Sequence, residues 1–205
     1  ADMEANGGPL TKEDLKAVKT EENEPLVGEY RNYRIATNRP PGGGIMVLEM
    51  LNILENFDIA ALGHNSADYI ATVSEAMKIA TIDKDEYVGD PRFVNVPMDL
   101  LLSSDYARER AHAIKNGDIA HVPRFGDGVE SRDTTHICAV DGAGNCVSLT
   151  HSLGMPSGVV TAGLGFQYNG CMCVFDPRPG RTGSIQPGKA RFTAMAPTIV
   201  FRGKE

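Results

Sequence analysis

The apolar pattern of this chain changes period once, and that change limits the folds open to it. Ile45, Leu48, Leu51 and Leu54 recur at helical spacing and predict a helix ending near Asn56. Ser66 can cap a second helix whose apolar face holds Tyr69, Val73, Ala76, Met77 and Ala80. A third follows Ser104 and stops at Asn116-Gly117, a C-terminal signal. Thr11-Lys12-Glu13-Asp14 has the form of a capping box, Tyr30 to Thr37 alternates as a strand, and Pro40 to Gly44 breaks the chain. Past Asp133 the texture is β-rich. Thr134 to Val140 and Asn145 to His151 flank Asp141-Gly142-Ala143-Gly144, a hairpin pattern. Short strands are expected at Phe166–Asn169 and Pro197–Phe201, with a Pro- and Gly-rich loop from Asp176 to Lys189 between them. A mainly helical zone followed by a β-rich one points to the α+β class.

Between the zones, His121 to Arg132 is glycine-rich and charged, without periodicity. It reads as an exposed linker, where chain cleavage is easiest. The 205 residues suffice for one sizeable domain or two small ones. The net charge of -7 argues against general nucleic-acid binding. No apolar run approaches a membrane span. The first residues, Ala1 to Asn6, are polar and acidic, unlike a signal peptide, and lack an initiator Met.

No cofactor or metal is expected. The glycine-rich turn Pro40–Gly44 lacks the Lys and Ser/Thr of a phosphate loop. Cys171 and Cys173 form a C-x-C pair without a matching second pair, a weak zinc signal. With Cys138 and Cys146 they read as small buried thiols on strands. Free clustered thiols lean toward a reducing compartment.

The segment Asp133-Thr134-Thr135-His136 carries the strongest chemical signal, because a linker ends there at the head of a strand. A threonine hydroxyl needs a base to act as a nucleophile. Cleavage of the preceding bond would free the α-amine of Thr134, whose pKa of about 8 suits it to take the hydroxyl proton. Before cleavage, the same hydroxyl can attack the preceding carbonyl to give an ester that water resolves. Thr-Thr at a strand start is by itself common, since β-branched residues suit strands.

A resemblance gives that dipeptide its weight. Asp133-Thr134-Thr135-His136, Val140-Asp141, Gly144-Asn145 and Val147-Ser148-Leu149-Thr150 are similar to the processing site and first small-subunit hairpin of γ-glutamyltransferases. So, in the same order along the chain, are Asn6-Gly7-Gly8 with Leu10 to Leu15, Arg39-Pro40-Pro41 through Gly44, Leu51 to Glu55, Tyr87 to Pro91, Pro187-Gly188-Lys189 and Met195 to Val200. The resemblance implies an αββα sandwich of the N-terminal-nucleophile hydrolases, present in part. It implies residues 1–133 as the end of a large subunit and 134–205 as the start of a small one, cut between Asp133 and Thr134. The two processed subunits would stay associated. Thr134 would carry a γ-glutamyl group from glutathione-like donors to water, an amino acid or a peptide. Members of the family are often exported, against the lean of the thiols, so localisation stays open.

The resemblance fails at the substrate's amine. The family's Thr-Tyr-Thr-Leu-Asn stands here as Thr150-His151-Ser152-Leu153-Gly154, so Ser152 keeps a hydroxyl and Gly154 loses an amide. Its Asn-Asn-Gln-Met-Asp-Asp-Phe becomes Asn169 to Phe175, with Cys171 for the Gln and Val174 for the last Asp. In the family, that Asn, Gln and Asp hold the α-ammonium. The Ser-Ser pair holding the α-carboxylate corresponds to Thr193-Ala194. Charged hydrogen bonds contribute roughly 1.5–3 kcal/mol each, so acyl groups without an α-amine, such as glutaryl amides, are expected to suffer less than γ-glutamyl donors. The family's substrate-carboxylate arginine would lie before Ala1 and its oxyanion Gly-Gly loop after Glu205. The chain therefore resembles the middle of a longer polypeptide and is expected to be inactive alone.

His136 reads as a structural strand histidine, and His64 and His151 lack partners at useful spacing. Glu49 and Glu55 are expected to be solvated on their helix, while the place of Arg178 and Arg181 relative to the pocket is open. Two alternatives stand beside the γ-glutamyl reading: a glutaryl- or cephalosporin-type acylase on the same scaffold, and a non-catalytic relative.

Overall fold

Period-3.6 and period-2 segments segregate in the structure as they do in the sequence. A computed structural model describes residues 2–123 and 134–203. Most of the expected linker, and Asp133 with it, lies outside the described residues. The chain opens with α1 (Asp2–Ala5) and α2 (Lys12–Ala17). The Thr11 hydroxyl accepts the Asp14 N–H, and the Asp14 side chain accepts the Thr11 N–H, which closes the expected capping box.

The stretch Tyr30 to Thr37, read as one strand, holds the last residue of β1 (Leu26–Tyr30), a turn and β2 (Tyr33–Thr37), and the two strands form a hairpin whose first arm was not anticipated. Its two-residue turn places Arg31 at φ 47° and Asn32 at φ 69°. A left-handed turn without glycine is uncommon, so the pattern concealed it. Then come α3 (Gly44–Leu54), α4 (Ile59–Leu62), α5 (Ala67–Tyr87), α6 (Met98–Leu101) and α7 (Ser104–Lys115). The Ser66 hydroxyl caps α5 through the Tyr69 N–H. Ser103, one residue earlier than expected, caps α7. Ala76 and Ala80 are buried on α5, but Met77, expected on the apolar face, is 53% exposed.

Beyond the undescribed residues lie β3 (Thr134–Val140), β4 (Cys146–Ser152), β5 (Pro156–Val160), β6 (Gln167–Asn169), a 3-10 helix (Cys171–Val174) and β7 (Thr198–Arg202). The expected β3–β4 hairpin is antiparallel, with Thr134 opposite Ser152 and Val140 opposite Cys146. Strand β5 was not anticipated, since Pro156 and Gly158 weaken a strand pattern.

The main sheet has the order β1-β2-β7, with both pairs antiparallel. It draws on strands from both sides of Thr134. Helix α3 packs on β1 and β2 and meets α5 and α7. Ile45, Leu48, Leu26, Ile35, Leu101 and Tyr106 form the larger core, and Ile53, Ala76, Ala107 and Ala111 a second. The β3–β4 hairpin meets the sheet where β4 touches β7, and the Thr198 N–H donates to Ser148 Oγ at 3.1 Å. The arrangement is α+β: a helical layer, a sheet and an adjoining hairpin. No helix among the described residues is long and apolar enough to cross a membrane.

Candidate active site

Strand alternation decides what Thr134 faces. Thr134, His136 and Cys138 share one face of the hairpin with their register partners Ser152, Thr150 and Ser148. Thr134 Oγ1 and Ser152 Oγ share a hydrogen bond of 2.8 Å. Ser152 Oγ also accepts the Gly154 N–H at 2.9 Å, which fixes the serine rotamer as the chain leaves β4. His136 pairs with Thr150 Oγ1 at 2.7 Å through Nδ1 and with Cys138 Sγ at 3.2 Å through Nε2. Those contacts turn its ring along the strand rather than onto Thr134, as a structural histidine requires.

Thr134 opens into a cleft of about 440 Å³. Ser152, Gly154, Cys171, Val174, Thr193 and Ala194 line the same cleft. The expected nucleophile and the residues matched to the family's substrate pocket therefore line one cleft, although they span 60 positions between Thr134 and Ala194. Thr150, Met155, Arg191, Met195 and Ala196 also line it. Sequence reasoning missed these. Arg191 is the consequential one, and its irregular, non-periodic segment offers no pattern that would give its facing.

The wall carrying Thr193 and Ala194 is irregular backbone, so other segments must hold it. The Thr193 N–H donates to Pro41 O at 2.9 Å, and the Gly43 N–H to Met195 O at 3.0 Å. Asn38 Nδ2 adds a bond to Met195 O at 2.9 Å, while Asn38 Oδ1 accepts the Gly44 N–H at 3.0 Å and so caps α3. A Cβ on Gly43 would lie 2.6 Å from Ala194 O, so the glycines of Pro40–Gly44 allow this close approach. They serve backbone packing under the cleft.

Asp90 secures the same wall from below. It is 2% exposed, grips Arg92 through both oxygens, and accepts the Ala190 N–H at 2.8 Å. The Arg92 hydrogen bonds, helped by those N–H groups, hold its carboxyl down at about 2 against the opposing effect of burial.

Gly154 adopts φ +75°, and a Cβ there would fall 2.3 Å from Cys171 Sγ and 3.1 Å from Arg191 Nη2. The space a side chain would need at this position is filled by a thiol and a guanidinium.

Several expectations are corrected. Of the four cysteines, all free thiols, only Cys171 is buried, and it lies on the 3-10 helix beside Cys173. Cys138 and Cys146 are exposed because both faces of the β3–β4 hairpin are largely open, and Cys173 is exposed on the 3-10 helix. Arg178 pairs with Asp176, and neither Arg178 nor Arg181 lines the cleft. Glu49 is not solvated. It is 1% exposed and enclosed near Asp83, Tyr106 and Arg110. Burial first, then contact with the Asp83 carboxylate, pushes its pKa well above the ordinary carboxylate range. Glu55 is exposed as expected. Among the described residues no cluster of His, Cys, Asp and Glu could hold a metal ion.

Known proteins share this architecture. The family model described as "Gamma-glutamyltranspeptidase" matches residues 1–205. An acylase ACY 1 proenzyme of Pseudomonas sp. (strain V22) is 42% identical over 203 residues, covering 98% of this chain and 36% of that protein. A glutathione hydrolase proenzyme of Escherichia coli (strain K12) is 37% identical over 218 residues, covering 98% of this chain and 38% of its own length. The crystal structure of a cephalosporin acylase from Bacillus halodurans superposes with a TM-score of 0.82 at 33% identity, covering 98% of this chain and 36% of that one. The chain thus spans little more than a third of these relatives.

Proposed function

We propose, from the premise that this chain belongs to the gamma-glutamyltranspeptidase family, that it is the central part of a self-processing acyl-transferring amidohydrolase with Thr134 as its nucleophile. The family groups N-terminal-nucleophile glutathione hydrolases with cephalosporin acylases. The observation that carries the proposal is the convergence of Thr134, Ser152, Thr193 and the Gly154–Cys171–Val174 cluster on one cleft.

The chemistry follows from the place of Thr134. Attack of the Thr134 hydroxyl on the Asp133 carbonyl forms an ester and expels the Thr134 nitrogen as a free α-amine; water then hydrolyses that ester, releasing the Asp133 carboxylate and restoring the hydroxyl. That amine, with a pKa of about 8, takes the hydroxyl proton when a donor amide binds. Thr134 Oγ1 adds to the amide carbonyl, the tetrahedral adduct expels the amine with the proton, and an acyl ester remains on Thr134. Water or an acceptor amine releases the acyl group. The 2.8 Å bond to Ser152 Oγ supports orientation of the nucleophile. Residues 1–133 would end the large subunit and residues 134–205 begin the small one. Pairing of β2 with β7 and of Asp90 with Ala190 would hold the two together after the cut.

Among donors, an acyl group without an α-amine is favoured over γ-glutamyl. Gly154, Cys171 and Val174 supply no carboxylate or amide side chain at the position where an ammonium would need acceptors. The deciding experiment is mass spectrometry of the full-length protein beside its Thr134→Ala variant, followed by turnover of glutathione and of a glutaryl amide. Cleavage before Thr134 only in the wild type is the expected result. Absence of cleavage in both makes the non-catalytic reading the better one, and efficient turnover of glutathione reverses the donor preference.

A further inference from the structure

Among the described residues, one cation stands in the cleft wall, and the other lining side chains there are neutral. Arg191 is partly buried there, between Gly154 and the segment that carries Thr193. Its Nη2 reaches the space over Gly154, while Nη1 donates to the neighbouring Phe192 O at 2.9 Å. Among the described residues no carboxylate lies within ion-pair distance of it, unlike Arg92 and Arg178, which each grip an aspartate. The other lining groups are hydroxyls, a thiol and apolar side chains: Ser152, Thr193, Cys171, Val174 and Met155. None of them brings a charge.

A guanidinium has five donors in a planar fork, so one bond to a carbonyl leaves most of its capacity unused. A planar fork facing a cleft matches a carboxylate, and the match is strengthened by charge on both partners. The same fork repels an ammonium and offers it no acceptor.

We propose that Arg191 binds the distal carboxylate of the acyl donor, so that the site selects monoamides of dicarboxylic acids that lack an α-amine. The inference rests on the reading of Thr134 as nucleophile, which sets where the scissile amide lies. Gly154 is part of the device, because any side chain at that position would collide with Cys171 Sγ and crowd Arg191 Nη2. Arg191 is thus a specificity residue that touches substrate, and Gly154 a positioning residue that keeps its place open.

The test uses the full-length processed protein and three small probes: glutarate, L-glutamate and the neutral pentan-1-ol, titrated calorimetrically. Wild type is expected to bind glutarate at least about tenfold more tightly than either of the others, the scale of one charged hydrogen-bonding pair. Arg191→Met is expected to lose about tenfold for glutarate while its pentan-1-ol affinity stays within about twofold. Arg191→Lys, which keeps the charge without the fork, should fall between them, and melting curves of both variants check folding. Equal or tighter binding of L-glutamate, unchanged glutarate binding in Arg191→Met, or no glutarate binding to wild type each overturns the proposal. Mass spectrometry of the Thr134 junction is read separately. Arg191-dependent glutarate binding in a protein that is never cut would sink the nucleophile and leave the carboxylate site standing. Cleavage and turnover that ignore Arg191 would do the reverse.

Discussion

Thr134 Oγ1 and Ser152 Oγ sit 2.8 Å apart across the first register pair of the β3–β4 hairpin. The serine oxygen already accepts the Gly154 N–H, so its bond to the threonine uses either its proton or its other lone pair. Ser152→Ala removes the orienting bond and keeps the nucleophile. It is expected to slow both self-cleavage and turnover by about fivefold, the equivalent of one neutral hydrogen bond of about 1 kcal/mol. Thr134→Ala abolishes both. Timed mass spectrometry of the junction checks the first effect, and a rate equal to wild type in Ser152→Ala would show the contact to be incidental.

Gly154 meets two constraints at once, a left-handed φ and a thiol in van der Waals reach. Gly154→Ala in the full-length protein should cost about 1–2 kcal/mol from the backbone alone, with more from the Cys171 clash. The clash is separable. In a double-mutant cycle, Cys171→Ala should be less harmful in the Gly154→Ala background than in wild type, because it vacates the space the new Cβ needs. Strictly additive melting-derived stabilities would mean that the thiol does not limit the site.

Asn38 joins α3 to the cleft wall by capping Gly44 and bonding Met195 O. Its replacement by Ala leaves both groups without that partner and is expected to cost about 1–2 kcal/mol. Because Met195 follows Thr193 and Ala194 directly, KM for the acyl donor should rise more than kcat falls. A pure stability loss with unchanged KM would confine Asn38 to the fold.

How much of this was legible depended on whether local chemistry or tertiary enclosure decides the outcome. Ser66 and the Thr11–Asp14 box announce helix starts because capping is satisfied within four residues. The β3–β4 hairpin was readable because Asp141 to Gly144 carries turn chemistry between alternating strands. The Arg31-Asn32 turn was not, since it adopts left-handed angles without the glycine that usually signals them. The cleft residues came from a collinear resemblance, as nothing local to Cys171 or Thr193 marks a site. Arg191 escaped because only the path of irregular backbone past Gly154 gives its direction. Glu49 escaped because a charge on an amphipathic helix looks solvated until two further helices close over it.

Asp90 predicts a response to acid. Its folded pKa is lowered from 3.8 to about 2, first by the Arg92 side chain. A depressed carboxyl stabilises above its unfolded pKa, and that contribution is lost as pH falls from about 4 through about 2. Asp90→Ala should cost about 2–3 kcal/mol at neutral pH, since buried charge-assisted bonds to Arg92 and Ala190 go together. Chemical denaturation at pH 7 and pH 3 checks both parts. The difference between wild type and variant should shrink at the lower pH.

Glu49 predicts the opposite response to base. Its carboxyl is enclosed by α3, α5 and α7 and meets Asp83, which in turn accepts the Tyr106 hydroxyl at 2.7 Å. Two carboxyls can share a hydrogen bond only with a proton between them, so the folded state keeps Glu49 protonated where the unfolded chain has released it. Glu49 Oε1 has no hydrogen-bond partner among the described residues, and the Arg110 charge offsets only part of the burial. The folded protein therefore binds more protons than the unfolded one above the ordinary glutamic acid pKa, and stability falls as pH rises from there. Glu49→Gln keeps the shape and still donates an N–H to Asp83, but it carries no titrating proton. It should flatten the decline and raise stability at pH 8 by on the order of 2 kcal/mol. Glu49→Leu removes the donor as well and leaves Asp83 with Tyr106 alone, so it should gain less. Urea melts from pH 5 to pH 9 distinguish these outcomes. A glutamine variant with the same pH slope as wild type would place the ionised form of Glu49 in the native core and require Arg110 to neutralise it.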